Sequence, residues 1–539
     1  EPHECQGCER QGPFDVNLDE SELIDAQRLR LQTPPEIAQG TGKEIDVTVE
    51  GDELVDVATV GDRVTVTGTV HLEQQSKGNQ KTAKFEPYVE ARHIALEESD
   101  HTEIDISPEE RERIHALADG AEGEPLDVAA QSLKPEVFGH DTVKRMLVLA
   151  MVGGAGPDDL RGEFHMLLLG DPGTAKSELL DRVETIAPRS VGVSGKGATE
   201  AGVTASAVQD DFGDGSAATL KAGALVKANG GVCCIDELDD MPADVRAAML
   251  GPMSKQRIHV NKWGINARLS TETAVLAAGN PKHGRFDKYE PIADQFDLAA
   301  NLLSRFDLIF TFHDKLDEDR DAKIADRILR ARDAKKRVAA GDRLEEDADT
   351  VEGPIDADLL RKWIALAKQQ PDPVFASDAV RETLREQFTA LRGMYDYAED
   401  EPVPVTFRKL PATVRIAEAA AKFEFSETIE PRHAEVATEA VGASMQDFGM
   451  DGDGNYDADI QETGASMAQK DRLKCIGNLI EEIQQETESG HCPHETLVER
   501  ADEEQDFDRE QVEHSIEKLR RNGVVYEPAT DYLKFVGWA

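Results

Sequence analysis

Gly170-Asp171-Pro172-Gly173-Thr174-Ala175-Lys176-Ser177 follows the apolar run Phe164-His165-Met166-Leu167-Leu168-Leu169 and precedes a helical pattern that starts at Glu178. A strand, a glycine-containing loop and a helix in that order make a phosphate cradle. The loop's backbone N–H groups and the positive end of the helix both face the anion. Lys176 is placed to neutralise terminal phosphates, and Ser177 to offer its hydroxyl to Mg²⁺. Ala175 stands where glycine is usual before the lysine; the loop tolerates its methyl if φ stays negative. Downstream, Gly231-Val232-Cys233-Cys234-Ile235-Asp236-Glu237 is an apolar strand ending in two carboxylates. Asp236 suits the Mg²⁺ shell, and Glu237 suits the polarising of a water. A third apolar strand, Thr273 to Ala278, runs into Gly279-Asn280-Pro281, whose Asn280 amide can position that water. Ser304-Arg305-Phe306-Asp307 precedes a fourth, Leu308-Ile309-Phe310, and Arg305 can serve a neighbouring subunit's phosphate or form a surface pair with Asp307. Cys233 and Cys234, adjacent in an apolar strand, read as small buried hydrophobes.

Outward from this loop, short β runs alternate with amphipathic helices over 131–335, the pattern of an α/β domain with a mostly parallel sheet. An acidic linker at 336–355 leads to helical segments at 356–445, expected to form an all-α lid. Residues 446–470 read as a flexible linker, although Asp451 to Asp457 with Glu462 mimics a calcium loop in which Tyr456 occupies the glycine position. From 471 to 539 the pattern is helices followed by two short strands, a winged helix. Upstream, 1–105 alternates polar and apolar residues, as in Arg63-Val64-Thr65-Val66-Thr67-Gly68-Thr69-Val70, and is expected to form a small β-barrel. Residues 106–130 read as a linker with a helix capped by Ser107 and started by Pro108.

The 539 residues carry 60 Lys plus Arg against 107 Asp plus Glu, a formal net charge of −47 spread along the chain. That excludes a simple basic nucleic-acid-binding protein, while 39% hydrophobic residues exclude a disordered acidic tail. Such an excess is tolerable where salt shortens the Debye length to about 3 Å, near 1 M, so a halophilic cytosol is expected. Six scattered cysteines fit a reducing compartment. No apolar run approaches the ~18 residues of a membrane span, and Glu1-Pro2-His3-Glu4 does not resemble a signal peptide. The first residue is not Met, so an N-terminal truncation is expected.

Together, the run Gly170 to Ser177 with Ala before Lys, Ile235-Asp236-Glu237, Ala278-Gly279-Asn280-Pro281 and Ser304-Arg305-Phe306-Asp307 resemble the minichromosome-maintenance (MCM) replicative helicases in their archaeal form. Phe138-Gly139-His140 and Gln27 to Glu36 extend the likeness over most of the chain. The resemblance implies a multidomain α/β fold: an AAA+ P-loop ATPase core with helical lid, an N-terminal OB-fold β-barrel with a partial zinc ribbon, and a C-terminal winged helix. It implies an ATP-dependent DNA helicase of the cytoplasm and nucleoid. The ring would be a homohexamer, single or double, acting on single-stranded and forked DNA with initiation and loading factors.

By the same resemblance Arg305 acts in trans, and Arg408 is the second sensor, with Arg415 the alternative; Pro411 replaces an expected Glu there. Lys262 and Trp263 tip a hairpin before the first sensor, where Trp263 either stacks on a base or packs on the next subunit. Lys77 and Lys81, with Lys84 beyond, tip an N-terminal hairpin that contacts DNA. Ala201 to Leu225 resembles a helix-2 insert with an acidic turn. Cys5-Gln6-Gly7-Cys8 supplies half of a four-ligand zinc site, which implies Zn in the full-length protein.

Overall fold

Period-two alternation marks the described strands of the first of two units, Glu1–Asp100, and continuous apolar runs mark the sheet strands of the second, His101–Ala539. In this computed structural model the described residues are 17, 21–33, 43–58, 60–77, 80–96, 104–156, 160–212, 215–262, 265–282, 284–286, 295–314, 318–339, 353–393, 408–448, 467–487, 491–505, 507, 509–521, 524–529 and 532–536. The first unit holds, among them, four strands: β1 (Ala26–Gln32), β2 (Glu44–Glu50), β3 (Val64–Lys77) and β4 (Gln80–Leu96), in the order β1-β2-β4-β3. β2 and β4 pair parallel and the other pairs antiparallel. Val47, Val49, Ala91 and Ile94 face one way and form the core with Ala58. β3 and β4 form a long arm whose register ends at Lys77 opposite Gln80.

The second unit begins with α1 (Pro108–Ala118) and α2 (Pro125–Leu133). Ser107 and Glu110 form a reciprocal capping box on α1, and Ile114, Leu117 and Leu126 are buried. Residues 106–130 therefore do more than link, because two apolar helix faces here join the main core. Next come α3 (Asp141–Val152), β5 (Met166–Gly170), α4 (Lys176–Ile186), β6 (Ser190–Ser194) and α5 (Glu200–Val203). The expected insert is the hairpin β7 (Ala205–Phe212) and β8 (Gly215–Ala222), followed by α6 (Ala224–Lys227) and β9 (Val232–Asp236). α7 (Ala243–Lys255) leads into a second hairpin, β10 (Arg257–Lys262) and β11 (Ile265–Ser270), then β12 (Ala274–Gly279), α8 (Ala300–Leu303), β13 (Leu308–Phe312) and α9 (Glu318–Ala339).

Among the described residues five of these strands form one parallel sheet, ordered β13-β5-β12-β9-β6. Every residue of β5 and β12 is buried, as a sheet covered on both faces requires. Successive residues go to opposite faces. Met166, Leu168, Cys234, Leu276 and Phe310 pack into one cluster, and Leu167, Leu169, Cys233, Val275 and Ile309 into the other. Burial pushes the Cys233 thiol up to about 12 and the Cys234 thiol well above its ordinary value, so both stay protonated and inert, as small core residues.

The lid helices are α10 (Ala357–Lys368), α11 (Asp378–Gly393), α12 (Lys409–Phe423) and α13 (Pro431–Phe448), with a short parallel pair, β14 (Val374–Phe375) and β15 (Thr428–Ile429). They share the first cluster. Trp363 is fully buried, stacks on Phe423 at 4.3 Å and donates its indole N–H to the Phe423 carbonyl. Pro411 leaves α12 unbroken, since it falls in the first turn, where no intrahelical N–H is needed. Finally α14 (Met467–Glu486), β16 (Cys492–Pro493), α15 (His494–Gln505), α16 (Arg509–Arg521), β17 (Val525–Ala529) and β18 (Tyr532–Phe535) close around Ile476, Ile480, Leu497, Val512 and Leu533. Their sheet order is β16-β18-β17, with β16 a strand the sequence pattern did not reveal. No helix among the described residues is long and apolar enough to cross a membrane.

Candidate active site

At the carboxyl end of β5 the chain turns through residues 171–175 before α4 begins at Lys176. Gly173 has φ +79° and Ala175 φ +68°. The expectation that Ala175 keeps a negative φ is thus overturned: this backbone demands a left-handed residue before the lysine, at about 1–2 kcal/mol for a side chain. Lys176 is buried, and its Nζ donates to the carbonyls of Gly170 (2.8 Å) and Asp171 (2.7 Å). Burial pushes its pKa down to about 8, against the pull of Asp171, Asp236 and Asp239.

Asp171, a carboxylate inside an anion cradle, is itself buried and satisfied from outside the loop. Its Oδ1 accepts the Phe286 N–H and its Oδ2 the Asp314 N–H, both at 2.8 Å, binding the segments after β12 and β13 to the loop. Sequence reasoning placed Asp171 among the nucleotide-binding residues without this bracing role. The available signal was its charge, which bars it from pointing at phosphate.

Asp236 ends β9, and its Oδ1 accepts the Glu237 N–H at 3.0 Å. Glu237 sits at φ +55°, starting the 3-10 turn Leu238–Asp240. Its carbonyl lies where a Cβ on Gly195 would come within 1.9 Å, so this turn requires glycine at 195. Ser194, opposite Asp236 in the β6–β9 register, donates its hydroxyl to Glu237 Oε2 at 3.2 Å. Nothing in the local pattern had singled out Ser194. Asn280 follows β12, and its backbone N–H is bound by Asp239 Oδ1 at 2.9 Å. Sheet order explains the convergence: β5, β12 and β9 are adjacent and parallel, so Lys176, Asn280 and Asp236-Glu237 all emerge at one edge. The hydroxyl of Ser177 and the carboxylate of Asp236 are hard oxygen donors of the kind Mg²⁺ takes.

Arg305 lies at the other edge. Leu308 pairs with Met166 and Phe312 with Gly170, so Arg305 stands before the amino end of β13, on the order of 13 Å or more from the level of the phosphate loop at about 3.3 Å per residue. Its Nε is buried with no partner among the described residues. Arg408 is exposed, and its Nη1 reaches Ser304 Oγ at 3.4 Å, on the residue that precedes Arg305.

Arg415 is elsewhere, in a buried cluster around Asp307. Its Nη1 donates to Asp307 Oδ2 at 3.3 Å and to the Glu163 carbonyl at 3.0 Å. Arg161 and the His165 N–H share that Oδ2, and Lys409 donates to the Asp307 carbonyl. Asp307 therefore pairs with Arg161 and Arg415, not with Arg305 on the surface. Burial alone would raise the Asp307 carboxyl, but Arg161 and Arg415 hold it below the usual range.

Lys262 is exposed at the tip of β10, opposite Ile265. Trp263 lies outside the described residues, as do Cys5, Cys8 and the loop from Asp451 to Glu462. Backbone pairing sets Lys81 opposite Ser76 and Lys77 opposite Gln80, while the side chains of both lysines are outside the description. Among the described residues no group of three or more His, Cys, Asp or Glu gathers as a metal site.

Comparison with known families matches residues 1–74 to the MCM OB domain, 110–332 to the MCM P-loop domain and 358–445 to the MCM AAA-lid domain. The chain is 33% identical to the minichromosome maintenance protein MCM of Saccharolobus solfataricus, over 99% of this chain and 76% of that protein. It is 32% identical to DNA replication licensing factor MCM5 of Arabidopsis thaliana, over 84% of this chain and 63% of the relative. With DNA replication licensing factor MCM3 of Gallus gallus the identity is 31%, over 80% and 58%. An OB domain, a P-loop AAA+ sheet with its phosphate loop, and a lid follow one another along this chain, each matching its MCM counterpart, and the chain belongs to the minichromosome maintenance (MCM) family.

Proposed function

We propose that this MCM chain is an ATP-dependent DNA helicase, the subunit of a homohexameric ring, single or paired. Such a ring unwinds duplex DNA by moving along one strand. The observation that carries the reading is the split across one sheet. Lys176, Asp236, Glu237 and Asn280 emerge together at the carboxyl edge, whereas Arg305 lies beyond the amino edge with Arg408 beside it. A site so divided is complete only when a second subunit presents its arginines to the first subunit's phosphates.

In that reading Gly170 to Ser177 cradles the phosphates and Lys176 offsets their charge. Mg²⁺, held by Ser177 and Asp236, would supply further charge at the phosphate oxygens. Glu237 draws a proton from the attacking water, Asn280 orients that water, and Arg305 with Arg408 stabilises the charge that spreads over the transferred phosphoryl group. β11 leads through residues 271–273 into β12, so the hairpin bearing Lys262 and Trp263 is continuous with the sensor strand and can move a DNA phosphate as Asn280 shifts. Lys77 and Lys81 hold the strand at the OB domain. Residues 471–539 act as a winged helix, and Cys5 with Cys8 would supply two of the four ligands of a structural zinc site.

The test is ATP-dependent strand displacement on forked DNA in molar KCl, with Lys176→Ala as control. Displacement lost in the variant is expected. Hydrolysis without displacement would favour a protein-remodelling ATPase, and ATP-dependent retention of DNA with neither activity would favour a passive ring.

A further inference from the structure

The turn that bears Glu237 carries another carboxylate, which the reading above leaves without a task. Asp239 is half-buried in the 3-10 turn Leu238–Asp240, two residues beyond Glu237. Its Oδ1 accepts the backbone N–H of Asn280 at 2.9 Å. Gly279, just before Asn280, lets the two segments close: a Cβ there would sit 3.3 Å from the same oxygen. Asp239 is also near enough for its charge to act on Lys176. One carboxylate thus bridges the ends of the adjacent strands β9 and β12, between the general base and the water-orienting amide.

We propose that Asp239 is a positioning residue for ATP hydrolysis: its carboxylate ties the backbone at Asn280 to the turn that bears Glu237, so that sensor amide and base keep one separation. The inference rests on the ATPase reading of this site. Glu237 and Asn280 must address the same water, and a misplacement of ~1 Å can cost about 100-fold in rate. Strand pairing ends before either residue, because Ala277 opposite Ile235 is the last β12–β9 pair. The Asp239 bridge takes over where the ladder stops.

Steady-state ATP hydrolysis and fluorescent-nucleotide binding by the full chain test this, on Asp239→Ala, Asp239→Asn, Asp239→Glu, Asn280→Ala and the double variant D239A/N280A. D239A is expected to lower kcat by about 10-fold or more, with the KM for ATP and nucleotide affinity changed by less than about 2-fold. D239N offers an amide oxygen to the same N–H and is expected to recover to within about 3-fold of wild type. D239E keeps the charge but displaces the oxygen by a methylene, so its kcat should fall at an unchanged melting temperature. In the N280A background D239A should cost less than about 2-fold, since the group it positions is gone. A full further loss in the double variant, a D239N as slow as D239A, or wild-type turnover in D239E would each overturn the proposal. D239E and D239N keep the test decisive if D239A fails to fold. Equal hydrolysis by wild type and Lys176→Ala would instead sink the ATPase reading itself.

Discussion

At the carboxyl edge of the five-stranded sheet, Asp236, Glu237 and Asp239 stand half-exposed around the buried ammonium of Lys176. At its amino edge, Asp307, Arg415 and His165 are buried and locked to one another and to Arg161. Both clusters are charged and built at the strand ends of one sheet, yet their chemistry differs. The first keeps carboxylates within reach of solvent, where a cation, a water and phosphates can meet them. The second spends its hydrogen bonds inside the protein: Arg161 also binds the Met253 carbonyl, His165 bridges that carbonyl and the Val275 N–H, and Lys409 and Arg415 bring in the lid. Charge marks function where it is accessible and incompletely paired. Where it is buried and saturated it fixes geometry.

That contrast can be broken by exchanging the expected phenotypes. Glu237→Gln should lower ATP turnover by about 10²–10⁴-fold while leaving the melting temperature near wild type, read by a coupled phosphate assay and a thermal melt. Asp307→Ala should do the reverse at first order, destabilising by about 3–5 kcal/mol because two buried guanidinium groups lose their anion. An equally stable Asp307→Ala protein would remove the distinction between the two edges.

Two pH predictions sharpen the amino-edge side. Burial, then the nearby Arg161, pushes His165 down to about 3, so it stays neutral when folded. The unfolded chain binds that proton below about 6.5, so this contribution is present above 6.5 and is lost as pH falls toward 3. Thermal melts of His165→Phe should lose that acid-side slope and show a lower plateau, since the Val275 N–H is left without its acceptor. Glu418 of α12 has the opposite sign. Burial raises its carboxyl to about 6, although it accepts the Ala155 N–H at 3.0 Å. The folded state therefore holds the proton more tightly, and stability falls as pH rises from about 4.5 through 6. Glu418→Gln should flatten that fall and be the more stable protein at pH 7, by about 1 kcal/mol, in melts across pH 4–8.

The smallest effect belongs to Lys262. Its loss should reduce the slope of log K against log salt for single-stranded DNA by about 0.7, as expected for one phosphate contact. An unchanged slope would remove Lys262 from the DNA path.

The candidate nucleotide-site residues at the carboxyl edge were legible because each follows a local pattern: an apolar strand five or six residues long, then a glycine-containing loop with a lysine, a carboxylate or an amide. The lid and the helices of the C-terminal segment were legible by periodicity, and the hairpins of the ATPase core by resemblance to the family. What was not legible depends on partners far away in the chain. Asp171 is satisfied by Phe286 and Asp314, Ser194 by Glu237, and Arg415 by Asp307. The same lid pattern offered Arg408 and Arg415 alike. Burial against Asp307 sets Arg415 in the interior, whereas Arg408 is exposed beside Ser304.

Sequence by itself determined the apolar strands of the parallel sheet, the phosphate loop and the candidate hydrolytic groups, because hydrophobic period and loop chemistry act over a few residues. Tertiary structure alone decided the strand order that brings β9 and β12 beside β5, the left-handed backbone of Ala175, and which charges are buried. Those outcomes turn on packing and hydrogen bonds between residues up to a hundred or more positions apart, as in Arg415 with Asp307, and no local pattern encodes such a pairing.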